Sequence, residues 1–319
     1  MGMRIANVVL NDFTRDNRVL KMSRCLAEAG HEVTAVCVPP DSRGRPLDPL
    51  KEKAIESGLR VVQRTSYRSS EAAQEVDAAG ADLGVLAFVT QIIPREILDA
   101  PRLASVCFHP SLLPAYRGGS AIAWQLINGE TRGGVTLFRP DDGIDSGPIY
   151  LCRELEIGAD DSAGSYYYSR VFEPGIAATL EVVEGLLAGS LEGVVQDESK
   201  ATHDPLCKDE HAGVDWTRSC RELHNLIRGC DPAPGAFTRL QGVPVRLYGS
   251  RSGGEADDVA AAPGTVVSID TDGLRVAAAD GLVTLTKIAV GGDTPIKKGP
   301  AAEVAEAAGI EVGNVLGVD

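Results

Sequence analysis

"CFHPSLLPAYRGGSAIAW", residues 107–124, decides how this chain is read. The apolar run LASVCFH (103–109) has the make-up of a buried strand, and it ends on a histidine followed at once by proline. A residue before proline is pushed toward extended geometry, so the His109 backbone is largely preset at the strand's end. Two leucines, a second proline and a Tyr-Arg-Gly-Gly turn follow. A helix is expected over 118–128, opened by Gly-Gly-Ser and closed by Asn-Gly. The chain has only five histidines, so one fixed at a strand end calls for a chemical reason.

Working back toward the N-terminus, alternating elements appear. MRIANVVL (3–10) reads as a strand. A helix is expected over 18–29, with Val19, Leu20, Met22, Cys25 and Leu26 on one side and Gly30 as the C′ glycine. HEVTAVCV (31–38) is the next strand, which makes a parallel pair with a right-handed crossover. A polar loop (39–49), a helix near 50–57, a short strand near 59–63 and a helix over 69–79 follow. LGVLAFV (83–89) is continuously apolar, as a central parallel strand should be, and IPREILDA (93–100) starts a short helix.

Toward the C-terminus, GVTLFR (134–139) and PIYLCRELEI (148–157) read as strands. A long helix over 162–188 carries a possible break at Pro174-Gly175, and a polar linker runs from 189 to 213. Beyond a helix at 218–227 the pattern changes to short strands separated by Asp-Gly turns, which predicts a small antiparallel barrel. The charged positions Lys297, Lys298 and 303–311 read as solvated faces, and 253–263 as a loop. The expected architecture is α/β: a Rossmann-like, mostly parallel sheet over 1–200, then a C-terminal, OB-like small β-barrel over 205–319.

Composition narrows the function classes. The net charge of −14 argues against a dedicated nucleic-acid surface. Seven scattered cysteines with no C-x-x-C pair indicate neither a zinc knuckle nor a disulfide framework, so no metal is expected. No apolar run reaches the roughly 18 residues of a membrane span. The N-terminus lacks the features of a signal peptide, and the expected location is the reducing cytoplasm.

The second chemical group is Asp145, in PDDGIDSGPI (140–149) after the strand 134–139. Ligands in open parallel sheets bind outside the carboxyl ends of strands. His109 and Asp145 therefore share one crevice if their strands are neighbours. A carboxylate beside an imidazole fixes its tautomer and favours its charged form. Such a histidine can stabilise an oxyanion and carry a proton. The same two residues, without context, equally fit a core histidine beside a loop aspartate.

HPSLLPAYRG (109–118), AWQLINGETRGGVTLF (123–138) and DDGIDSGPI (141–149) together resemble the formyltransferase family that uses 10-formyltetrahydrofolate. VPPDSRGRPLDPLKEKAIESG (38–58), FVTQIIPREILDAPR (88–102) and VDWTRSCRELHNLIRGCDPAPGAF (214–237) extend the likeness, most of all to the hydrolase domain of the 10-formyltetrahydrofolate dehydrogenases. The C-terminal barrel also looks like that of the methionyl-tRNA formyltransferases. The resemblance implies catalytic roles for His109 and Asp145. It implies a folate pocket from Phe88, Thr90, Gln91, Ile92 and Ile93 together with the loop Pro140, Asp141, Asp142, Gly143 and Ile144. Leu113, Tyr116 and Arg117 would line its mouth, with Tyr116, Arg117 and Gly118 toward the acceptor.

Two departures stand out. Most family members carry asparagine two residues before the histidine, and here that slot is Cys107. It is a third candidate catalytic residue beside His109 and Asp145, for which a nucleophilic role stands against that of an inert buried thiol. A thiol is a weak donor, and loss of one oxyanion donor costs about 100- to 1000-fold in rate. NDFTRDNRVLK (11–21) does not look like the family's first loop; Asp12, Arg15 and Asn17 are assigned there to the acceptor, against the alternative of a solvated helix start. The expected activity is formyl transfer from 10-formyltetrahydrofolate to a small-molecule amine. The alternatives are hydrolysis to formate, formylation of methionyl-tRNA, and folate binding without turnover. Residues 205–319 hold 11 Lys+Arg against 16 Asp+Glu, a balance of −5, which ranks tRNA last. The sequence leaves the oligomeric state open.

Overall fold

Local rules place the elements. In the computed structural model, which describes residues 2–8, 17–38, 40–41, 44, 47–87, 89, 92–251, 261–292 and 295–317, the second and third helices start on capping side chains. β1 (Arg4–Val8) leads to α1 (Asn17–Glu28), which Gly30 ends at φ 90°, and then β2 (Glu32–Val38). Asp48 accepts the Leu50 and Lys51 N–H groups and Pro49 sits in the first turn of α2 (Pro49–Glu56). β3 (Arg60–Gln63) follows, and Ser69 caps α3 (Ser70–Asp77). Next come β4 (Leu83–Leu86), α4 (Arg95–Leu98) and β5 (Ala104–His109).

These strands build a seven-stranded sheet in the order β3-β2-β1-β4-β5-β6-β7, with β6 (Arg132–Phe138) and β7 (Ile149–Glu156) at one side. The pairs β3/β2, β2/β1, β1/β4 and β4/β5 are parallel. All four residues of β4 are buried, as the apolar run requires. Strand order reverses at β1, between β2 and β4, which is the switch point where doubly wound sheets bind ligands.

Between β5 and β6 lies α5 (Ala121–Ile127); after β7 come α6 (Ala163–Tyr166), a π-helical turn at Tyr167–Val171 and α7 (Phe172–Leu187). The irregularity expected at Pro174-Gly175 thus sits one turn earlier. Pro174 lies in the first turn of α7, directly after the π-helical turn. Residues expected to form a free linker, 189–213, instead carry bridges from Val194 to Ile149 and from His203 to Arg117.

The C-terminal part comprises α8 (Cys220–Cys230), β8 (Ala236–Leu240), β9 (Val243–Arg251), β10 (Val266–Asp270), β11 (Gly273–Ala277), β12 (Leu282–Val290), β13 (Ile296–Pro300) and α9 (Ala301–Ala308). Its strands pair antiparallel in the order β10-β11-β12-β9-β8, with β13 on β12. Leu223 and Ile227 of α8 and Val304 and Ala305 of α9 are buried with Val245, Leu247, Leu274, Val276, Leu285 and Ile288. The stretch 303–311 is therefore more than a solvated face. Glu303 and Glu306 are exposed, but they share α9 with the buried Val304 and Ala305.

By contact the chain forms two compact units: Met1–Gly118, Gly134–Leu155 and Val171–His203 in one, Gly119–Gly133, Glu156–Arg170 and Asp204–Asp319 in the other. Among the described residues, no helix is long and apolar enough to cross a membrane, and no cluster of His, Cys, Asp or Glu is arranged to hold a metal.

Candidate active site

β5 delivers His109 at its last position, and the turn after it is tied down by its own hydroxyls. The Ser111 Oγ–H donates to the Ala115 carbonyl at 2.7 Å. Thr136, which pairs with His109 across β5 and β6, donates its hydroxyl to the Ser111 carbonyl at 2.7 Å and accepts the Leu113 N–H at 3.2 Å. Leu113 is buried beneath this turn.

Asp145 arrives by another route than the sequence suggests. β6 runs antiparallel to β5, with Phe138 opposite Cys107, so the two residues do not sit at the carboxyl ends of a parallel pair. The loop 139–148 is what brings Asp145 to the histidine. Arg139 donates its N–H to the Pro148 carbonyl at 2.9 Å, which closes the loop. Asp141 Oδ1 accepts the Gly143 N–H at 3.0 Å and the Ser146 hydroxyl at 2.8 Å. Only glycine fits at 147, because a Cβ there would overlap the Arg139 carbonyl. Asp142 points outward to Arg95, at 3.3 Å. Ile144, next to Asp145 in sequence, is exposed; Ile92 is exposed too, while Ile93 is buried.

The result is a His–Asp pair with little access to water. His109 Nδ1 lies 3.4 Å from Asp145 Oδ2, with side chains 7% and 19% exposed. On the other edge of the ring, Nε2–H donates to the Tyr116 carbonyl at 2.7 Å. Each ring nitrogen thus faces an acceptor; the neutral ring can serve one of them and the imidazolium both. Asp145 Oδ2 also accepts the Gly118 N–H at 2.8 Å. Two residues of the site hold left-handed backbone without being glycine: Tyr116 at φ 61° and Asp145 at φ 52°. Such conformations persist where the surroundings fix them, and they cluster at functional sites.

Cys107 is half-buried, two residues before the histidine on the same strand. Burial pushes its thiol pKa up, and the Asp145 carboxylate pushes it further. It stays a thiol at neutral pH, and a thiol is a poor nucleophile. Its geometry is that of a weak donor, 3.9 Å from the Phe108 carbonyl.

Arg117 is turned inward and is almost wholly buried. Its guanidinium donates to Glu198 at 2.7 and 3.0 Å and to Gln196 Oε1 at 2.8 and 3.3 Å. Glu198 raises the arginine's pKa, and Arg117 lowers that of Glu198. The side chain is therefore spent on the segment 196–198 rather than on the mouth of a pocket. Tyr116 and Gly118 take part through their backbones. Phe88, Thr90, Gln91, Asp12 and Arg15 lie outside the described residues, and of Asn17 only its place at the start of α1 is described. Pro140 is the second residue of the loop that carries Asp145. Sequence reasoning missed Thr136, Gln196 and Thr202, most of whose partners are main-chain groups that leave no pattern in the sequence.

A family model described as formyl transferase matches residues 3–183, and one described as formyl transferase, C-terminal domain, matches residues 207–298. The chain is 36% identical over 299 residues to a methionyl-tRNA formyltransferase of Sorangium cellulosum (strain So ce56), covering 92% of this chain and 94% of that one. It is 39% identical over 230 residues to the mitochondrial 10-formyltetrahydrofolate dehydrogenase of Homo sapiens, covering 70% of this chain but only 25% of that longer protein. Among solved structures, HypX from Aquifex aeolicus in complex with tetrahydrofolic acid aligns with a TM-score of 0.69 at 23% identity, over 96% of this chain and 47% of that one. WlaRD, a sugar 3N-formyl transferase, aligns with a TM-score of 0.65 at 17% identity, over 89% and 97% of the two chains. At those identities the two structures speak for the fold alone.

Proposed function

This chain belongs to the formyl transferase family, and on that premise we propose that it moves the formyl group of 10-formyltetrahydrofolate to a small-molecule amine through His109 and Asp145. The observation that carries the reading is the 3.4 Å approach of His109 to Asp145 at the two positions where the family resemblance puts catalysis. The bound folate supplies the formyl group as donor. As the amine attacks, the His109 Nε2–H, which donates to the Tyr116 carbonyl at 2.7 Å in the free site, is given over to the oxygen that gains charge. Asp145 stabilises positive charge on that ring, takes the proton from the attacking amine and hands it on toward the folate nitrogen as the bond from that nitrogen to the formyl carbon breaks. Gly118 N–H fixes the carboxylate rotamer while this happens. Ile92 and Ile144 are exposed apolar side chains that suit a pterin ring, which supports a donor pocket from Phe88 to Ile93, Leu113 and the loop 140–144. We assign residues 1–200 to catalysis and 205–319 to the C-terminal module. Asp12, Arg15 and Asn17, which follow β1 in the sequence, are assigned to the acceptor, with Tyr116 and Gly118.

Methionyl-tRNA is the second reading for the acceptor, favoured by the end-to-end match to a methionyl-tRNA formyltransferase. The −5 balance of residues 205–319 weighs against it, because a tRNA-binding module needs a basic face. Hydrolysis with water as acceptor fits the match to the dehydrogenase and the weak donor at Cys107.

The test is to follow tetrahydrofolate formation from 10-formyltetrahydrofolate with no acceptor, with amino sugars and amino acid derivatives, and with methionyl-tRNA. Turnover that depends on a small amine supports the reading. Turnover with water alone or with methionyl-tRNA alone moves it to the corresponding alternative. Unchanged turnover in His109→Ala overturns the site.

A further inference from the structure

We propose that Gln196 is a positioning residue, which holds the His109–Asp145 pair in register through a strap formed by residues 196–203. The proposal rests on the function assigned above and adds a residue to it.

The two groups flanking His109 are a side chain and a carbonyl from separate loops. Asp145 comes from the loop after β6, and the Tyr116 carbonyl from the turn after β5. Both residues hold left-handed backbone without being glycine, which among the described residues only Gln241 also does. The strap grips both. At one end, the Gln196 amide nitrogen donates to the Asp145 carbonyl at 2.9 Å and to the Gly147 carbonyl at 2.7 Å. At the other end, Thr202 Oγ accepts the Tyr116 N–H at 2.7 Å, the Thr202 carbonyl accepts the Arg117 N–H at 3.0 Å, and the Thr202 N–H donates to the Pro114 carbonyl at 3.2 Å.

Arg117 ties the two grips together. It is the residue after Tyr116, and it donates twice to Gln196 Oε1. Gln196 is buried, and its amide uses both N–H donors and both acceptor sites. A satisfied buried amide of this kind specifies one arrangement of its partners. Replacing it frees the Asp145 carbonyl and lets the carboxylate drift from the ring. A misplacement of about 1 Å from a group that touches no substrate costs about 100-fold in rate. The Gln196 amide nitrogen reaches the pair through the Asp145 loop, so the effect of losing it should vanish when Asp145 has already lost its charge.

The experiment compares Gln196→Met, which keeps the length and removes the amide, with Gln196→Glu, which keeps the acceptor for Arg117 and removes both donors. Each is made in the wild-type chain and in Asp145→Asn. Tetrahydrofolate release is measured with whichever acceptor the wild type uses. The expected result is a fall in kcat of about 10- to 100-fold with KM for the formylfolate within about twofold. In the Asp145→Asn background the same substitutions should change kcat by less than about twofold. The ring ¹⁵N signals of His109, assigned with His109→Asn, are recorded alongside at one pH. They should move in both Gln196 variants in the direction that Asp145→Asn moves them. Equal losses in the two backgrounds, or unchanged kcat and unchanged His109 signals in a folded Gln196→Glu, overturn the proposal. If the wild type turns over with no acceptor, the functional reading fails, and the His109 signals still decide the strap.

Discussion

Replacing Asp145 with asparagine removes one charge and leaves nearly everything else in place. Asn tolerates left-handed backbone as Asp does, so the φ of 52° is kept. Its side-chain oxygen can still accept the Gly118 N–H. What is lost is the charge 3.4 Å from His109 Nδ1. Both side chains are mostly buried, so an effective dielectric of about 20 applies rather than that of water, and the pair is worth about 5 kcal/mol. Some of that is present before the reaction begins. Allowing about 3–4 kcal/mol for the part that grows as the ring bears full charge, kcat should fall about 200- to 1000-fold. Asp145→Ala also abandons the Gly118 N–H and places alanine at a positive φ, which should cost about tenfold more. The assay is single-turnover formation of tetrahydrofolate at saturating 10-formyltetrahydrofolate, with the donor's Kd measured separately by fluorescence quenching. A loss below about tenfold for Asp145→Asn would sink the ion-pair argument. So would a Kd that weakens in step with the rate, because the residue would then be binding the donor rather than assisting the reaction.

Gly175→Ala tests the packing behind the site. A Cβ there would sit 2.6 Å from Phe108 Cε2, next in sequence to His109. A helix normally gains about 1 kcal/mol from this change, but overpacking costs about 1–3 kcal/mol, so Tm should fall by a few degrees; a rise would show that Phe108 can move aside. Cys107 should resist alkylation. Its thiol pKa is raised, so the reactive thiolate is scarce, and iodoacetamide at about pH 8 should label it at less than about a tenth of the rate of the exposed Cys152. Mass spectrometry reads both sites, and equal labelling would contradict the burial. Glu222 makes the capping box of α8 with Ser219, and hydrogen bonds from Ser219 and Arg218 lower its pKa from 4.5 to about 2. A lowered carboxylate pKa stabilises above the unfolded value and is lost as pH falls through the folded one. Glu222→Gln should therefore melt below the wild type at pH 6, with the gap closing between about 4.5 and about 2; a gap that persists in acid would assign the effect to packing.

Much of the first unit was legible because its signals are local. Continuous apolar runs gave β4 and β5, the C′ glycine closed α1, and the family blocks marked His109 and Asp145 before any geometry. The C-terminal unit was read less fully. β8 starts on the last two residues of a block quoted for its resemblance and runs past it, and β13 with α9 hides in "IKKGPAAEVAEAA" (296–308), where lysines and glutamates mask a buried stripe. That stripe is Ala301, Val304 and Ala305, at helical spacing. Alanine carries little hydrophobic signal, so the charged residues dominated the reading.

The direction of β6 illustrates a different limit. Neighbouring strands separated by a helix favour a parallel crossover, and that rule placed His109 and Asp145 at like ends of a parallel pair. β6 runs the other way, so the aspartate depends on a closed loop and on what braces it. Bracing of this kind is invisible in a sequence. Gln196, Thr202 and the loop 139–148 meet mostly through main-chain carbonyls and N–H groups, which every residue possesses. GVVQDESKATHD (193–204) has no helical or strand period, so it reads as a linker. Polar segments with no period are ambiguous in that respect: a solvated linker and a strap bonded along its backbone share one composition. Buried glutamine and inward-turned arginine separate the two, and they do so only once the fold has brought residues 117, 145 and 196 together.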